Sequence, residues 1–343
     1  MKYFARLIWL FAFACLIGAS GAQANYSNLF IFGDSLSDNG NNAIVFDQIG
    51  ASQSPPLPPG ALRTPVPISG NSFIPTFPYA SNHYTNGQVW AQSFAAAFGL
   101  TAIPSLLGGT DYAFGGARTG PVSANLLSPF PASVETQAAF FLAQHANVAP
   151  SDALYVVAGG GNNARDALAA IGGCGVNPLC VVSIIQSAAS AFATDVATIV
   201  GELELAGAQH IVVWDAPDVG LAPAVIASGG SAVGTLLASS MNAALLAAIG
   251  GDPDVKQFDL FGLQDAIVAD PGAFGLTNAT DACAQFVACN PSTYLFWDGI
   301  HPTSAGDQII SNAMVALVPE PASLALAGLG LAGLAMSRRR RPS

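Results

Sequence analysis

Basic side chains are scarce in this sequence. Its 343 residues include only 10 Lys and Arg, against 21 Asp and Glu. Six of the ten lie near the ends, at Lys2, Arg6 and Arg338 to Arg341. Between Asn25 and Leu317 the basic residues are Arg63, Arg118, Arg165 and Lys256, against 20 acids, a formal balance of −16. Such a surface repels nucleic acid and anionic headgroups, so no nucleic-acid partner is expected. Histidine is also rare, with four copies, and cysteine has five. No G-x-S-x-G occurs, which argues against the nucleophile elbow of an α/β-hydrolase. "GLGLAG" (328–333) matches a dinucleotide fingerprint literally, but it follows no strand and precedes no ribose-binding acid, so it is chance.

Cys15 lies in the N-terminal apolar stretch and lacks a lipobox, since Ala12, Phe13 and Ala14 precede it. The other four form two equally spaced pairs, Cys174 with Cys180 and Cys283 with Cys289. Four cysteines permit three connectivities, and an exported chain meets an oxidising compartment. Local bridges Cys174–Cys180 and Cys283–Cys289 are the expected pairing. Zinc is the competitor, but no histidine accompanies either pair, so no metal is expected.

Both ends read as processing segments. Lys2 and Arg6, an apolar run from Leu7 to Ile17 and the small residues before Ala24 follow the pattern of a secretory signal, 1–24. The run is short for a membrane span. At the other end, Pro319 and Pro321 precede an apolar run from Ala322 to Met336 and four arginines. That run too is somewhat short for a permanent span, and the arginines would hold it on the cytoplasmic side. This tail, 318–343, resembles the PEP-CTERM sorting signal of Gram-negative bacteria, whose partner is an inner-membrane exosortase; a plain tail anchor is the other reading. The resemblance implies export to the periplasm, cell surface or exterior, with transient inner-membrane anchoring and a signal peptidase as the other processing partner.

The region between, 25–317, alternates apolar strand-like runs with helical patterns. "LFIFGDS", "ALYVVAGGG" (153–161), "HIVVWDAP" (210–217) and "VKQFDLF" (255–261) read as strands. Residues 181–206 and 232–249 carry helical spacing, and a last helix is expected after Pro302. Such alternation predicts an α/β fold with a parallel sheet covered on both faces and functional groups at the carboxyl ends of its strands. The stretch from Pro55 to Pro78 holds eight prolines and no periodicity. It reads as a long inserted loop, either a binding wall or a passive insertion.

Ser35 stands just past the first strand, where its side chain is free at the sheet edge. A serine hydroxyl needs a base to become a nucleophile. His83 in the proline-rich loop, His145 at a helix end and His210 at a strand start read as surface or capping histidines. His301 differs, because Asp298 lies three residues before it and Gly299 lets the chain turn between them. That spacing can set a carboxylate on Nδ1 and leave Nε2 outward as base. Acyl transfer also needs oxyanion donors. Gly115 or Gly116 in "DYAFGGAR" and the amide of Asn162 in "GGGNN" are the candidates. Asp34, Ser37, Asp38 and Asn39 are expected to fix the turn presenting Ser35 through local hydrogen bonds.

In order, "GDSLSDNGN", "YAFGGAR", "GGGNN" and "WDGIHP" resemble the blocks of the GDSL esterases and lipases, also called SGNH hydrolases. The resemblance spans roughly residues 29 to 316. It implies a flavodoxin-like three-layer α/β/α sandwich with no cofactor. By position it makes Ser35 the nucleophile, His301 the base and Asp298 its orienting acid. The oxyanion donors become the Ser35 N–H, the Gly116 N–H and the Asn162 side chain. The implied activity is ester hydrolysis on a lipid, a short acyl ester or an acetylated polysaccharide. Acyl transfer to an alcohol, or a non-catalytic surface or matrix role, are the alternatives. One position departs from the family: the third block usually reads G-x-N-D, and Asn163 stands here in place of the acid.

Overall fold

The computed structural model describes residues 26–65, 73–123 and 125–318; the two processing segments and part of the proline-rich loop lie outside them. All the elements below belong to the unit Ser27–Leu317.

Four short strands form a parallel sheet in the order β1–β2–β3–β4: β1 Leu29–Gly33, β2 Leu154–Ala158, β3 Ile211–Trp214 and β4 Val255–Phe258. The first three are buried along their whole length, which is why they read as unbroken apolar runs rather than alternating ones. On the free side of β1 the segment 110–114 runs parallel to it. Tyr112 N donates to Ile31 O (2.7 Å), Ile31 N to Thr110 O (3.1 Å) and Phe114 N to Gly33 O (3.2 Å). With that fifth strand-like segment counted in chain order, the spatial order becomes 2-1-3-4-5, the flavodoxin-like arrangement. The switch point then falls between β1 and β2.

Helices cover both faces. In chain order they are α1 Asn41–Ala51, α2 Trp90–Ala97, α3 Val134–Gln144, α4 Gly161–Gly172, α5 Pro178–Leu205, α6 Pro223–Ala227, α7 Ser231–Ile249, α8 Leu260–Ala269 and α9 Ser304–Leu317. Phe30, Phe32, Tyr155, Val157, Ile211 and Val213 point to one face and join a single core with residues of α3, α4, α5 and α7. Trp214, on the other face, meets Trp90 of α2 with ring centroids 4.7 Å apart, and α9 packs on α2. The architecture is an α/β three-layer sandwich.

Local chemistry sets the ends of these helices. Asn177 caps α5 by accepting from Leu179 N and Cys180 N, with Pro178 at the first helical position. Thr303 Oγ1 accepts from Gly306 N (3.1 Å), so α9 begins two residues after Pro302. A two-stranded parallel sheet, β5 Asn278–Ala282 with β6 Tyr294–Phe296, has its own small core of Ile267, Leu276, Ala279, Leu295 and Phe296. Cys283 and Cys289 are joined in the connection between these strands, and Cys174, just after α4, is joined to Cys180 in the first turn of α5.

Candidate active site

The carboxyl ends of β1, the 110–114 segment, β2 and β6 converge. Ser35 follows β1, Gly115 and Gly116 follow the extended segment, Asn162 lies in the first turn of α4 after β2, and Asp298 and His301 follow β6. Ser35, Asn162, Asp298 and His301 are all buried.

Ser35 Oγ lies 2.8 Å from His301 Nε2, although 266 residues separate them. His301 Nδ1 lies 2.8 Å from Asp298 Oδ2 and 3.0 Å from Oδ1. The Asp298 carboxylate is held from several sides. Its Oδ1 accepts from Ile300 N (2.9 Å) and His301 N (2.8 Å), and its Oδ2 accepts from the Tyr79 hydroxyl (2.8 Å). Gly299 N donates to Phe73 O (3.0 Å), and Ala224 N donates to Gly299 O (2.9 Å), which pins the turn on both sides. An imidazole with Nδ1 on a fixed carboxylate and Nε2 on a hydroxyl can take that hydroxyl's proton.

The proline-rich loop is therefore no passive insertion. Its Phe73 holds the Asp298–His301 turn, and the chain just after it supplies Tyr79 and also Tyr84, whose ring lies 5.3 Å from that of His301 at 31°. The Tyr84 hydroxyl accepts from Asn42 Nδ2 (2.7 Å), which also donates to Gly115 O (2.9 Å). Sequence reasoning missed both tyrosines, since a loop without periodicity does not show which of its side chains turn inward. His83 departs from the surface role expected of it. It is buried, with Nδ1 2.6 Å from Gly87 O and Nε2 3.0 Å from Asn39 Oδ1, and so ties the loop to the serine turn. His145 sits at the C-cap of α3, with Nδ1 2.8 Å from Phe141 O.

The turn itself is fixed only partly by local bonds. Asp34 Oδ1 accepts from Leu36 N (3.0 Å) and Asp38 Oδ1 from Gly40 N (2.9 Å). Ser37 and Asn39 reach across the fold instead: Ser37 Oγ accepts from Trp90 Nε1 (3.1 Å), and Asn39 Nδ2 donates to Ala102 O. Asp38 Oδ2 accepts from Gly115 N (2.9 Å). That bond engages Gly115, whereas among the described residues Gly116 N–H and Ser35 N–H have no hydrogen-bond partner. Gly115 also has no room for a side chain, because a Cβ there would come 2.2 Å from the Tyr84 ring. Gly116 adopts φ +88°, a conformation that glycine takes without strain. Asn162 Nδ2 donates to Ala117 O (2.9 Å) and, at 3.4 Å, faces Asp34 Oδ2.

Asn163, in place of the family's usual acid, has a defined task. Its Oδ1 accepts from Thr119 N (3.0 Å) and its Nδ2 donates to Thr119 Oγ1 (2.9 Å), while that hydroxyl donates to Asp195 Oδ2 (2.6 Å). A carboxylate at 163 would set two lone pairs against each other there, so the amide suits this network. It clamps the chain just beyond Gly116.

Burial pushes the carboxyls of Asp34 and Asp38 up to about 6, against opposing backbone N–H donors and, at Asp34, the charges of His301 and Arg165. Burial likewise lifts Asp215 to about 7. Each binds its proton more tightly in the folded chain than in the unfolded one, where Asp titrates near ~4. Their contribution to stability is complete below that value and is lost as pH rises through 6 to 7. Thermal unfolding midpoints are thus expected to fall by several degrees between pH 5 and pH 8; a rise across that window would contradict this.

Beside Ser35 opens a cavity of about 620 Å³ with a mostly apolar wall. Leu168 and Ile171 of α4, Val219, Val225 of α6, Val233 of α7 and Ile300 are among its lining.

Residues 29–314 match the model of the family described as GDSL-like lipase/acylhydrolase. The chain belongs to this family. Residues 317–341 match the PEP-CTERM protein-sorting motif, a mark of export in Gram-negative bacteria. Among relatives, Esterase EstA of Pseudomonas aeruginosa is 27% identical over 344 residues, covering 91% of this chain and 51% of the relative. Lipase 1 of Photorhabdus luminescens is 31% identical over 208 residues, covering 60% of this chain and 24% of that protein. A GDSL esterase/lipase of Arabidopsis thaliana is 25% identical over 337 residues, covering 90% and 97%. The chain spans about half the length of the first curated relatives it matches.

Proposed function

We propose that this chain is an exported serine ester hydrolase working through an acyl-enzyme. The observation that carries the reading is the line Ser35–His301–Asp298, with bonds of 2.8 Å at each step, ending at an apolar cavity. In this reading His301 Nε2 takes the Ser35 proton as Oγ attacks the ester carbonyl. The oxyanion is held by the Ser35 and Gly116 N–H groups and by the Asn162 amide hydrogen that faces Asp34. His301 then protonates the departing alcohol, and water, activated by the same imidazole, releases the acid. The cavity suits an acyl chain better than a bare acetyl group, which favours lipid-like esters over acetylated polysaccharide. Segment 1–24 would be removed by a signal peptidase and segment 318–343 passed to an exosortase, leaving 25–317 as the working domain.

The test is a series of p-nitrophenyl esters from acetate to palmitate, with labelling by a fluorophosphonate. Turnover is expected to rise from acetate into the medium chain lengths, with one phosphonyl group added at Ser35 by mass spectrometry. Absence of both turnover and label would overturn the proposal.

Tyr79 is a positioning residue in this reading. Tyr79→Phe is expected to lower kcat by about tenfold with KM little changed, because one charge-assisted bond to Asp298 is lost while the cavity stays intact. An unchanged kcat would show that the two backbone donors to Asp298 suffice.

A further inference from the structure

Arg165 stands apart from the other arginines of the described residues. Arg63 is paired with Asp47 at 3.0 Å and Arg118 with Asp166 at 2.7 Å. The Arg165 side chain has neither an ion pair nor a hydrogen bond among the described residues. Its half-buried side chain nevertheless lines the cavity that opens beside Ser35. Partial removal of a guanidinium from water is unfavourable unless something compensates. No protein group among the described residues lies within ion-pair or hydrogen-bond distance of it.

The carboxylates on the same wall are occupied. Asp218 Oδ1 accepts from Gly220 N (2.8 Å), and Thr235 Oγ1 lies 2.9 and 2.8 Å from its two oxygens. Asp34 takes Leu36 N and faces Asn162, and both acids are almost fully buried. Arg165 acts on Asp34 only as a charge at a distance. Among the described residues lining the cavity, a ligand anion therefore meets one half-buried cation and two carboxylates that are almost fully buried and hydrogen-bonded.

The position along the helix gives the scale. Gly161, Arg165, Leu168 and Gly172 all line the cavity, at the i, i+4, i+7, i+11 spacing of one helix stripe. At 1.5 Å per residue, Arg165 lies ~5 Å along α4 from Asn162, and Gly172 ~15 Å. The stripe thus starts beside the proposed oxyanion amide, passes a cation after one turn, and then is apolar.

We propose that Arg165 forms an anion-recognising subsite, so that the preferred substrates are acyl esters with a phosphate, sulfate or carboxylate group close to the scissile bond. The proposal rests on the esterase reading above. In a chain otherwise so acidic, this single guanidinium discriminates between charged and neutral esters with the same acyl chain.

Three probes test it on the wild type, Arg165→Gln and Arg165→Lys. They are p-nitrophenyl hexanoate, which is neutral; the p-nitrophenyl monoester of adipic acid, charged at the acyl end; and 4-hexanoyloxybenzenesulfonate, charged on the alcohol. Comparing each variant with wild type on the same probe cancels differences in leaving group. Arg165→Gln is expected to lower kcat/KM by about tenfold to a hundredfold on one charged ester, mostly through KM, the worth of one charge-assisted hydrogen bond. Hexanoate should stay within about twofold, and Arg165→Lys should restore part of the loss, since it keeps the charge without the planar fork. The probe that suffers tells whether the anion belongs to the acyl or the alcohol part. An equal fall on all three esters, or no change on any, would overturn the subsite. If wild type turns over none of them, including hexanoate, the hydrolase reading itself fails.

Discussion

Ser35→Ala is expected to reduce kcat on a medium-chain p-nitrophenyl ester by about 10⁵- to 10⁶-fold. The reason is that, in the proposed mechanism, every later step depends on the covalent intermediate. Without Oγ, His301 has no attacking oxygen to deprotonate within the line, and a water in its place is neither bonded nor aimed. KM should change little, since the cavity and the proposed oxyanion donors do not involve the hydroxyl. The substitution removes one oxygen from a side chain whose only hydrogen bond among the described residues is to His301, so the variant should fold normally. Circular dichroism and an unchanged melting temperature would check that. Equal rates for variant and wild type would place the chemistry elsewhere. Fluorophosphonate labelling of the two proteins would then show whether another serine takes the label.

The second large effect is expected at Asp298. Changing it to asparagine should lower kcat by about 10⁴-fold, more than its near-identical size would indicate. Oδ1 is committed to Ile300 N and His301 N, so the amide oxygen must take that position. The NH2 group then stands where Oδ2 was, against the Tyr79 hydroxyl and His301 Nδ1. The Tyr79 hydroxyl can turn its lone pair to it. His301 can answer only by moving its proton to Nε2, which leaves a donor rather than a base facing Ser35. Asp298→Ala, which lacks that opposing donor, would separate the tautomer effect from simple loss of charge: a deeper defect in the asparagine variant than in the alanine one supports it. Near-wild-type kcat in Asp298→Asn would show that Asp298 does not set the proton on His301.

Much of this arrangement was legible before any coordinates. The alternation of "LFIFG", "LYVVA" and "IVVW" with long helical stretches is a local periodicity, and it carried the layer order of the sandwich. The Asp298–His301 pair was legible for the same reason, because a three-residue turn is a local event. The segment 110–114 was not read as part of the sheet. It pairs with β1 through few bonds and ends in the glycines that drew attention to it for another purpose. The inward tyrosines were hidden for the reason given above, and so was the buried role of His83.

By itself the sequence determined which chemical groups stand at two strand ends, a serine after β1 and an amide after β2, and it set an acid and an imidazole in one turn before the last helix. Residue type and spacing along one strand or turn depend on neighbours a few positions away, so they can be read in one dimension. Only the tertiary structure decided what those groups face. It brought Ser35 within 2.8 Å of a histidine 266 residues later. It occupied the Gly115 N–H with Asp38 and left that of Gly116 without a partner. It gave Asn163 a threonine to clamp, Asp298 a tyrosine from a distant loop, and Arg165 a cavity but, among the described residues, no ion-pair partner. Each of these is a hydrogen bond or a missing one between segments far apart in the chain. Their directions are set by how loops without periodicity pack, which is decided only when the layers close.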